Sequence, residues 1–558
     1  MNEPLMSGHA VATVLAGGLT LAAGWKVYRR LGLSFAKYPS LAGHVRMAKR
    51  FARLIPQYVY PSDAWLGLDQ VDPIVVSRRR LAFQGLVNDL GAKSPRTLAT
   101  MKAITPRISD VQFTSRYRVP FQFRNADVER LKMGNIWSKS HGCWLTDLDH
   151  QSYIDVSGSY GVNLFGLDFY KNNIDSAVVS ARDLGPFLGG YHPCIEEVTA
   201  ELLEISGQQE ISFHMSGTEA VMQAVRLARY HTGRKRIVRF CGAYHGWWDD
   251  VQPGPGNPMP PSRHTLTLRE MHVNTLSYLR TAPDIACVLV NPIQAMHPNR
   301  AAPTDSMLID GSRSVSFDRS SYSHWLRQLR AVCTERGIAL IMDEVFLGFR
   351  LAARGAQDYF GVHADLVTYG KTLGGGLPVG VLCGGARWMR RFNEERPADI
   401  CFARGTFNAH PYVLTAMREF LRTLKTPETR AVYAELEPVW RARRSHLNER
   451  LADANLPIRF EGMPTVWSMI FLLPGRYHWL LQFYLRREGI VLSWVGTGRF
   501  IFNLSFTDTD FNAFEQRLMT AAEAFRRDGW WDAPPGLTGK AIKKRVFREL
   551  ITHRFRMI

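Results

Sequence analysis

Two apolar runs in this chain end on side chains able to do chemistry. The first, IALIM (338–342), leads straight into Asp343 and Glu344. Carboxylates are seldom buried without a partner, and a carboxylate at the C-terminal end of a strand in an open α/β sheet lies where ligands bind. The second, LVTY (366–369), leads into Gly370 and Lys371, with Gly374, Gly375 and Gly376 close behind. Burial lowers a lysine's pKa, and the neutral amine so formed attacks aldehydes. The glycines let the backbone pass close to a bound ligand. The alternative for this lysine is a salt-bridged side chain on a tight turn. A third run, ISFHM (211–215), is followed by Ser216, Gly217 and Thr218, then by helical periodicity from Glu219 to Tyr230. Strand, small polar turn and helix present backbone amides to a phosphate; they also make an ordinary helix cap. RIVRF (236–240) ends at Gly242-Ala243-Tyr244-His245-Gly246, where Tyr244 is an aromatic suited to stacking on a planar ring or to filling a core.

The elements that must position these groups follow one pattern. From about residue 116, short apolar runs alternate with helical segments, which is the α/β arrangement. CWLTDLDHQSYIDV (143–156) reads as a hairpin, and IACVLVNPIQ (285–294) as a buried strand ending in polar groups. The chain has 558 residues, of which 46% are hydrophobic, enough for about two to four domains and a large core. Its net charge of +19 comes without zinc-finger spacing or an aromatic-basic RNA-reading motif. The excess is therefore read as suited to an anionic membrane surface or an acidic protein partner, not to nucleic acid. No metal site is expected. The seven cysteines are scattered with no CxxC pair, as reduced buried thiols of a cytosolic compartment would be.

Both chain ends are basic and partly apolar. No charge occurs from Pro4 to Trp25, and Lys26, Arg29, Arg30 and Lys37 follow. That order predicts a single membrane anchor over residues 4–28 with the remainder on the cytoplasmic face, against a soluble amphipathic or buried helix. Leu41 to Leu54 and Arg78 to Leu90 predict basic helices that lie on the membrane surface or dock on the body. The tail from Trp530 to Ile558 carries Lys540, Lys543, Lys544, Arg545, Arg548, Arg554 and Arg556. It reads as a basic amphipathic helix, lying on anionic lipid or packed on its own domain.

Taken together, the stretches YGVNLFG, MSGTEAVMQAVRLARYHTGRKRI, FCGAYHGWWD, NPIQ, IMDEVFLGFR, GAQDYFGVHADLVTYGKTLGGGLPVGV and RGTFNAHP closely resemble the class III, fold-type I aminotransferases that use pyridoxal 5'-phosphate (PLP). Within them the chain is most similar to the glutamate-1-semialdehyde aminomutase branch, and there to the aminotransferases of polyketide, lipopeptide and prodigiosin-type pathways. The motifs span residues 140 to 420 in family order. The resemblance implies that Lys371 holds the cofactor as an imine and shuttles the substrate proton. Asp343 would pair with the pyridinium nitrogen; Ser216, Gly217 and Thr218 would hold the phosphate. Tyr244 would stack on the ring with His245 in support, and Gln294 would hydrogen-bond the ring's phenolic oxygen. Thr406 would reach the phosphate of a neighbouring subunit, making the active unit a homodimer. Ser159 and Tyr160 would lie near the substrate. The chain departs from the family at Asn291-Pro292, where a Glu-Pro pair is usual, and at Met215 before Ser216.

The implied fold is α/β: a fold-type I transferase with a large, mostly parallel-sheet domain, a smaller α+β domain from the chain ends and an N-terminal helical extension. The expected divisions are a membrane-anchor helix (1–30), a basic helical extension (31–115), the N-terminal part of the small domain (116–160), the large PLP-binding domain (161–425), the C-terminal small domain (426–528) and a basic tail (529–558). The implied activity is ping-pong transfer of an amino group onto an aldehyde or ketone that is lipophilic or tethered to an acidic carrier protein. An intramolecular aminomutase shares every cofactor residue; a non-catalytic, membrane-held PLP-binding scaffold is the alternative of another class. Arg350, Arg404 and Arg499 are candidate carboxylate binders, each against a structural or surface role.

Overall fold

The structure is a computed structural model that describes residues 8–300, 317–493 and 498–555, with side chains from residue 22 onward. Strands β1 (Trp137–His141), β2 (Trp144–Asp147) and β3 (Ser152–Asp155) form an antiparallel meander. A seven-stranded sheet follows, built from β4 (Glu210–His214), β5 (Arg236–Phe240), β6 (Thr265–Leu268), β7 (Ile285–Val290), β8 (Ala339–Asp343), β9 (Leu366–Gly370) and β10 (Gly380–Gly384). Its order is β4-β10-β9-β8-β7-β5-β6. Only β10 runs against its neighbours. Beyond it, β12 (Val466–Phe471) pairs antiparallel with β11 (Ile458–Met463) on one side and β14 (Arg499–Ile501) on the other, while the short β13 (Ile490–Val491) joins β3 in parallel.

Parallel strands buried on both faces read as unbroken apolar runs, because alternate side chains enter two different cores. Val238, Val288, Leu340 and Val367 enter one core, with Tyr322, Trp325 and Leu329 of the helix Arg319–Arg336. Ile237, Leu289, Ile341 and Leu366 enter the other, with Val221, Ala224 and Val225 of the helix Gly217–Thr232. The sheet is thus covered on both sides and its loops are left to carry function.

A third, aromatic core joins the chain ends. Helix α1 is Gly8–Ala36, α2 is Val45–Ala52 and α3 is Pro73–Lys93. Trp65, just before α3, stacks on Trp530 with ring centres 6.1 Å apart. The buried Arg79 of α3 donates to the carbonyls of Leu66, Gly529 and Asp532. Of the two readings of this segment, α3 takes the docked one. The tail does likewise: the helix Gly539–Phe555 buries Ile542, stacks His553 on Tyr58 and places Glu549 on Arg476 at 2.9 Å. Arg476 is itself buried and grips Asp69 through two hydrogen bonds of 2.8 and 3.0 Å.

The anchor expected over residues 4–28 falls largely outside the described side chains, which begin at residue 22. Residues 1–7 lie outside the described residues, and among those described no helix is long and apolar enough to cross a membrane. Instead α1 continues through Lys26, Arg29 and Arg30, and its C-terminal half docks on the helix Val273–Thr281: Arg29 pairs with Asp284 at 3.6 Å, and the Arg269 amide donates to the Ala36 carbonyl at 2.8 Å. All seven cysteines are buried and unpaired. Burial raises the thiols of Cys194 and Cys241 to about 11 and those of Cys287, Cys333 and Cys383 to about 12.

Removing one partner of a buried ion pair strands the other charge, at a cost of about 3–5 kcal/mol. Arg476→Ala is therefore expected to lower stability by about 3 kcal/mol and to speed amide exchange in Gly539–Phe555 ahead of the sheet. Denaturant melts and hydrogen-exchange mass spectrometry check both.

Candidate active site

Strands β8 and β9 are parallel neighbours, with Asp343 opposite Thr368. Asp343 closes β8, and Lys371 opens the turn after β9. Both groups therefore stand at the C-terminal edge of the sheet, where an open α/β fold receives ligands. Asp343 is buried. One of its oxygens accepts from His245 Nδ1 at 2.8 Å; the other accepts from the Val345 amide at 3.2 Å and Thr368 Oγ1 at 3.4 Å. His245, also buried, has no partner for Nε2 among the described residues. The resemblance gave His245 to Tyr244; the structure gives it to Asp343.

Lys371 holds φ 48°, a left-handed backbone that residues other than glycine seldom adopt. Its Nζ lies 5.6 Å from the centre of the Phe346 ring. Burial holds the amine below the ordinary lysine value; the Asp343 carboxylate pulls the other way, while Arg350 and Arg499 add to the depression. The cation–carboxylate influence places Asp343 and Lys371 in one electrostatic environment.

Around this pair the strand-end loops close in. Ser216 caps the helix Gly217–Thr232, its Oγ accepting from the Glu219 amide at 3.3 Å. A Cβ at Gly217 would stand 2.6 Å from Val345, and one at Gly246 2.5 Å from Thr218. Only glycine permits the helix start and the 244–246 loop to approach this closely. Tyr244 is 60% exposed; burial of part of its ring, with the nearby Asp343, raises its phenol. Asn291 Nδ2 donates to the Tyr244 carbonyl at 2.7 Å, so the departure at Asn291 supplies a donor that a carboxylate would lack. Gln294, in the turn that Asn291 caps, is buried with no partner for Oε1 among the described residues.

Ser159 and Tyr160 also adopt positive φ, 45° and 58°, between the left-handed Gly158 and Gly161. A Cβ at Gly161 would meet Phe346 at 2.8 Å and Lys371 Cδ at 3.2 Å, so this strained loop runs along the lysine side chain. Arg350 fixes it. Its guanidinium donates to the carbonyls of Gly161, Asn163 and Phe502 at 3.2, 2.9 and 2.7 Å. Arg350 is thus a structural clamp, and Arg404 is exposed. Arg499 differs from both. Its guanidinium stands 5.7 Å from the Phe346 ring centre and 3.4 Å from His297 Nε2. No carboxylate pairs with it among the described residues, its Nε has no partner there, and burial lowers it to about 10. Thr406 lies exposed in the loop after Cys401, and no hydrogen bond among the described residues ties it to the Asp343–Lys371 cluster.

Sequence reasoning missed Thr368 and Phe346. A hydroxyl inside the apolar run LVTY was a usable signal for Thr368. Nothing in the pattern marked Phe346, whose ring has Lys371, Arg350 and Arg499 within 6.0 Å of its centre.

The family model for class-III aminotransferases matches residues 126–521. The chain belongs to the class-III aminotransferases. Among curated relatives, the glutamate-1-semialdehyde 2,1-aminomutase of Methanothermobacter thermautotrophicus is 35% identical over 344 residues, covering 59% of this chain and 75% of that protein. The corresponding enzyme of Geotalea daltonii is 32% identical over 362 residues, 61% of this chain and 77% of its own length. Solved structures share the fold-type I architecture. A β-phenylalanine aminotransferase from Variovorax paradoxus superposes with a TM-score of 0.65 at 24% identity, covering 80% of this chain and 98% of its own. A glutamate-1-semialdehyde aminomutase from Pseudomonas aeruginosa gives 0.63 at 18%, covering 81% and 99%.

This aminotransferase is a PLP-dependent transaminase. The donor set fits that cofactor. A close-packed glycine cradle at a helix start suits a phosphate. A buried carboxylate suits a cationic ring nitrogen, and a buried amine of lowered pKa suits an aldehyde.

A lowered pKa leaves a larger neutral fraction at a given pH. Reductive methylation of Lys371 in cofactor-free protein should therefore rise with pH and level off below the pH at which exposed lysines do. Asp343→Asn removes the one influence that raises this amine, so the curve should move to lower pH still. Peptide mass spectrometry across a pH series reads both shifts.

Proposed function

We propose that the chain transfers an amino group from a donor to an aldehyde or ketone by a ping-pong cycle, with Lys371 and Asp343 at its centre. The observation that carries this reading is the placement of that amine and that carboxylate at the ends of adjacent parallel strands. Bound PLP supplies an aldehyde that condenses with amines and a ring that draws electrons from the neighbouring carbon. Lys371 Nζ, partly neutral because it is buried, takes and returns the substrate proton. Asp343 faces the ring nitrogen, and His245 and Thr368 hold the carboxylate in one orientation. Gly217 and Thr218 offer their amides to the phosphate, with Ser216 holding the helix start. Tyr244 covers a ring face, and Gln294 supplies a polar partner at the ring edge. Tyr160 and Ser159 border the substrate side, and Thr406 serves a neighbouring subunit.

Arg499 bears on the substrate. A buried cation without a carboxylate is costly unless an anion reaches it, which supports a carbonyl substrate that carries an acid group. A lipophilic or carrier-tethered acceptor remains compatible with the net charge of +19. A second reading has its own support, since the curated relatives named above are aminomutases and that reaction would use the same groups.

Three outcomes are expected. Lys371→Ala keeps its circular dichroism but loses turnover and the near-visible absorbance of bound cofactor. Arg499→Gln raises KM for acidic acceptors by about tenfold or more, the scale of a hydrogen bond to a charged group, and leaves neutral acceptors little changed. Turnover requires a separate amino donor in a donor-acceptor screen that follows the two spectral forms of the cofactor. Conversion of a single amino-carbonyl compound with no donor would instead establish the aminomutase.

A further inference from the structure

Far from Lys371, at the β6 edge of the large sheet, α1, α2 and the segment 253–267 enclose a groove of about 720 Å³. Arg30, Lys37, Arg46, Arg50, Arg236 and Arg263 line it, and no carboxylate does. Arg236 is answered by Asp284 at 3.2 Å. Among the described residues, no side-chain hydrogen bond or ion pair engages the other five. Lys37 sits below the ordinary lysine value because it is partly buried and faces Arg46. Cations brought together in this way repel one another and favour an anion, and arginines match the geometry of phosphate oxygens. The remaining wall is mixed, with Leu33 and Leu266 beside the polar His44, Ser262, Thr265 and Thr267.

The flanking surface is apolar. One face of α1 is spent on the body, through Arg29, Gly32 and Ala36. Another face carries Val27, Tyr28, Leu31 and Phe35, spaced to share one side of the helix, and each is more than half exposed. Trp25 stacks on Tyr28 at 5.6 Å. On α2, Arg46, Met47 and Arg50 line the groove, and Met47 and its neighbour Phe51 are also exposed to solvent. Lys49 donates to the carbonyls of Asn257 and Met259 and so ties α2 down. A cation-lined cleft beside a stripe of aliphatic and aromatic side chains is the surface of a helix lying in a membrane interface.

We propose that this groove binds the phosphate headgroups of anionic lipids, with the exposed stripe of α1 resting in the bilayer interface as a surface contact and not as a span. Nucleic acid would use the cations and leave the stripe unanswered. A second copy of the chain is disfavoured here, because Thr406 lies after Cys401, which helps line a cleft against β4 at the opposite edge of the sheet.

The test uses the full-length holoenzyme and flotation with vesicles of phosphatidylcholine alone or mixed with phosphatidylglycerol. Wild type should bind the mixed vesicles at least about tenfold more tightly, with binding weakened by salt. Arg46→Glu with Arg50→Glu should bring it down to the phosphatidylcholine level. Leu31→Asp with Phe35→Asp should weaken binding to both compositions. Transaminase turnover and sedimentation of each variant report fold and assembly. Equal binding to the two compositions, no binding by wild type, or charge reversal without effect would overturn the proposal. So would a stripe variant that changes oligomeric state and leaves vesicle binding intact, since that would make the surface a subunit contact.

Discussion

A carboxylate buried at the end of one strand and an amine buried at the end of the next are each poorly solvated, and the protein around them is arranged to make that tolerable. Parallel pairing of β8 with β9 sets Asp343 opposite Thr368 and leaves Lys371 three residues further on. The carboxylate is steadied by His245, Thr368 and the Val345 amide. The amine receives no such set. It is raised in proton affinity only by Asp343 and lowered by burial and by two arginines. The imbalance is chemically useful, because an amine fully paired with a carboxylate would stay protonated and would not attack a carbonyl.

Arg350 connects this centre to the smaller sheets. It spans the strained loop at 158–163 and the chain just after β14, donating to carbonyls from each. Carbonyl oxygens satisfy its donors without neutralising its charge, so it still contributes to the field at Lys371. One residue therefore shapes the 158–163 loop and biases the protonation of the amine. Phe346 fills the space between Arg350, Arg499 and Lys371, with both guanidinium groups and the amine within 6.0 Å of its ring centre.

Much of this centre was legible in the sequence, for a definable reason. Each chemical group sits where an apolar run stops, as Asp343 does after IALIM and Lys371 after LVTY, and a strand buried on both faces must end abruptly. The close-packed turn at Ser216-Gly217-Thr218 was legible as a strand, a small polar turn and a helix. The role of His245 was not, because its partner lies 98 residues away and only sheet order brings them together. The packing of the chain ends was not legible for the same reason, and the sequence left docked and membrane-surface readings side by side. Arg476, Asp69 and Glu549 make one buried network from three distant segments, and the docking of α1 on Val273–Thr281 depends on which strand forms the sheet edge. Charge and hydropathy along the chain predicted contact with lipid; they carried no information about which face of each helix the body would claim.

The burial of every native thiol has a practical side. With Cys194, Cys241, Cys287, Cys333 and Cys383 enclosed and held protonated, maleimides and similar reagents have little native target in the folded chain. One cysteine introduced on an exposed helix would then be a unique attachment point. A fluorophore or spin label could report distances and local mobility without first stripping the protein of its own sulfur.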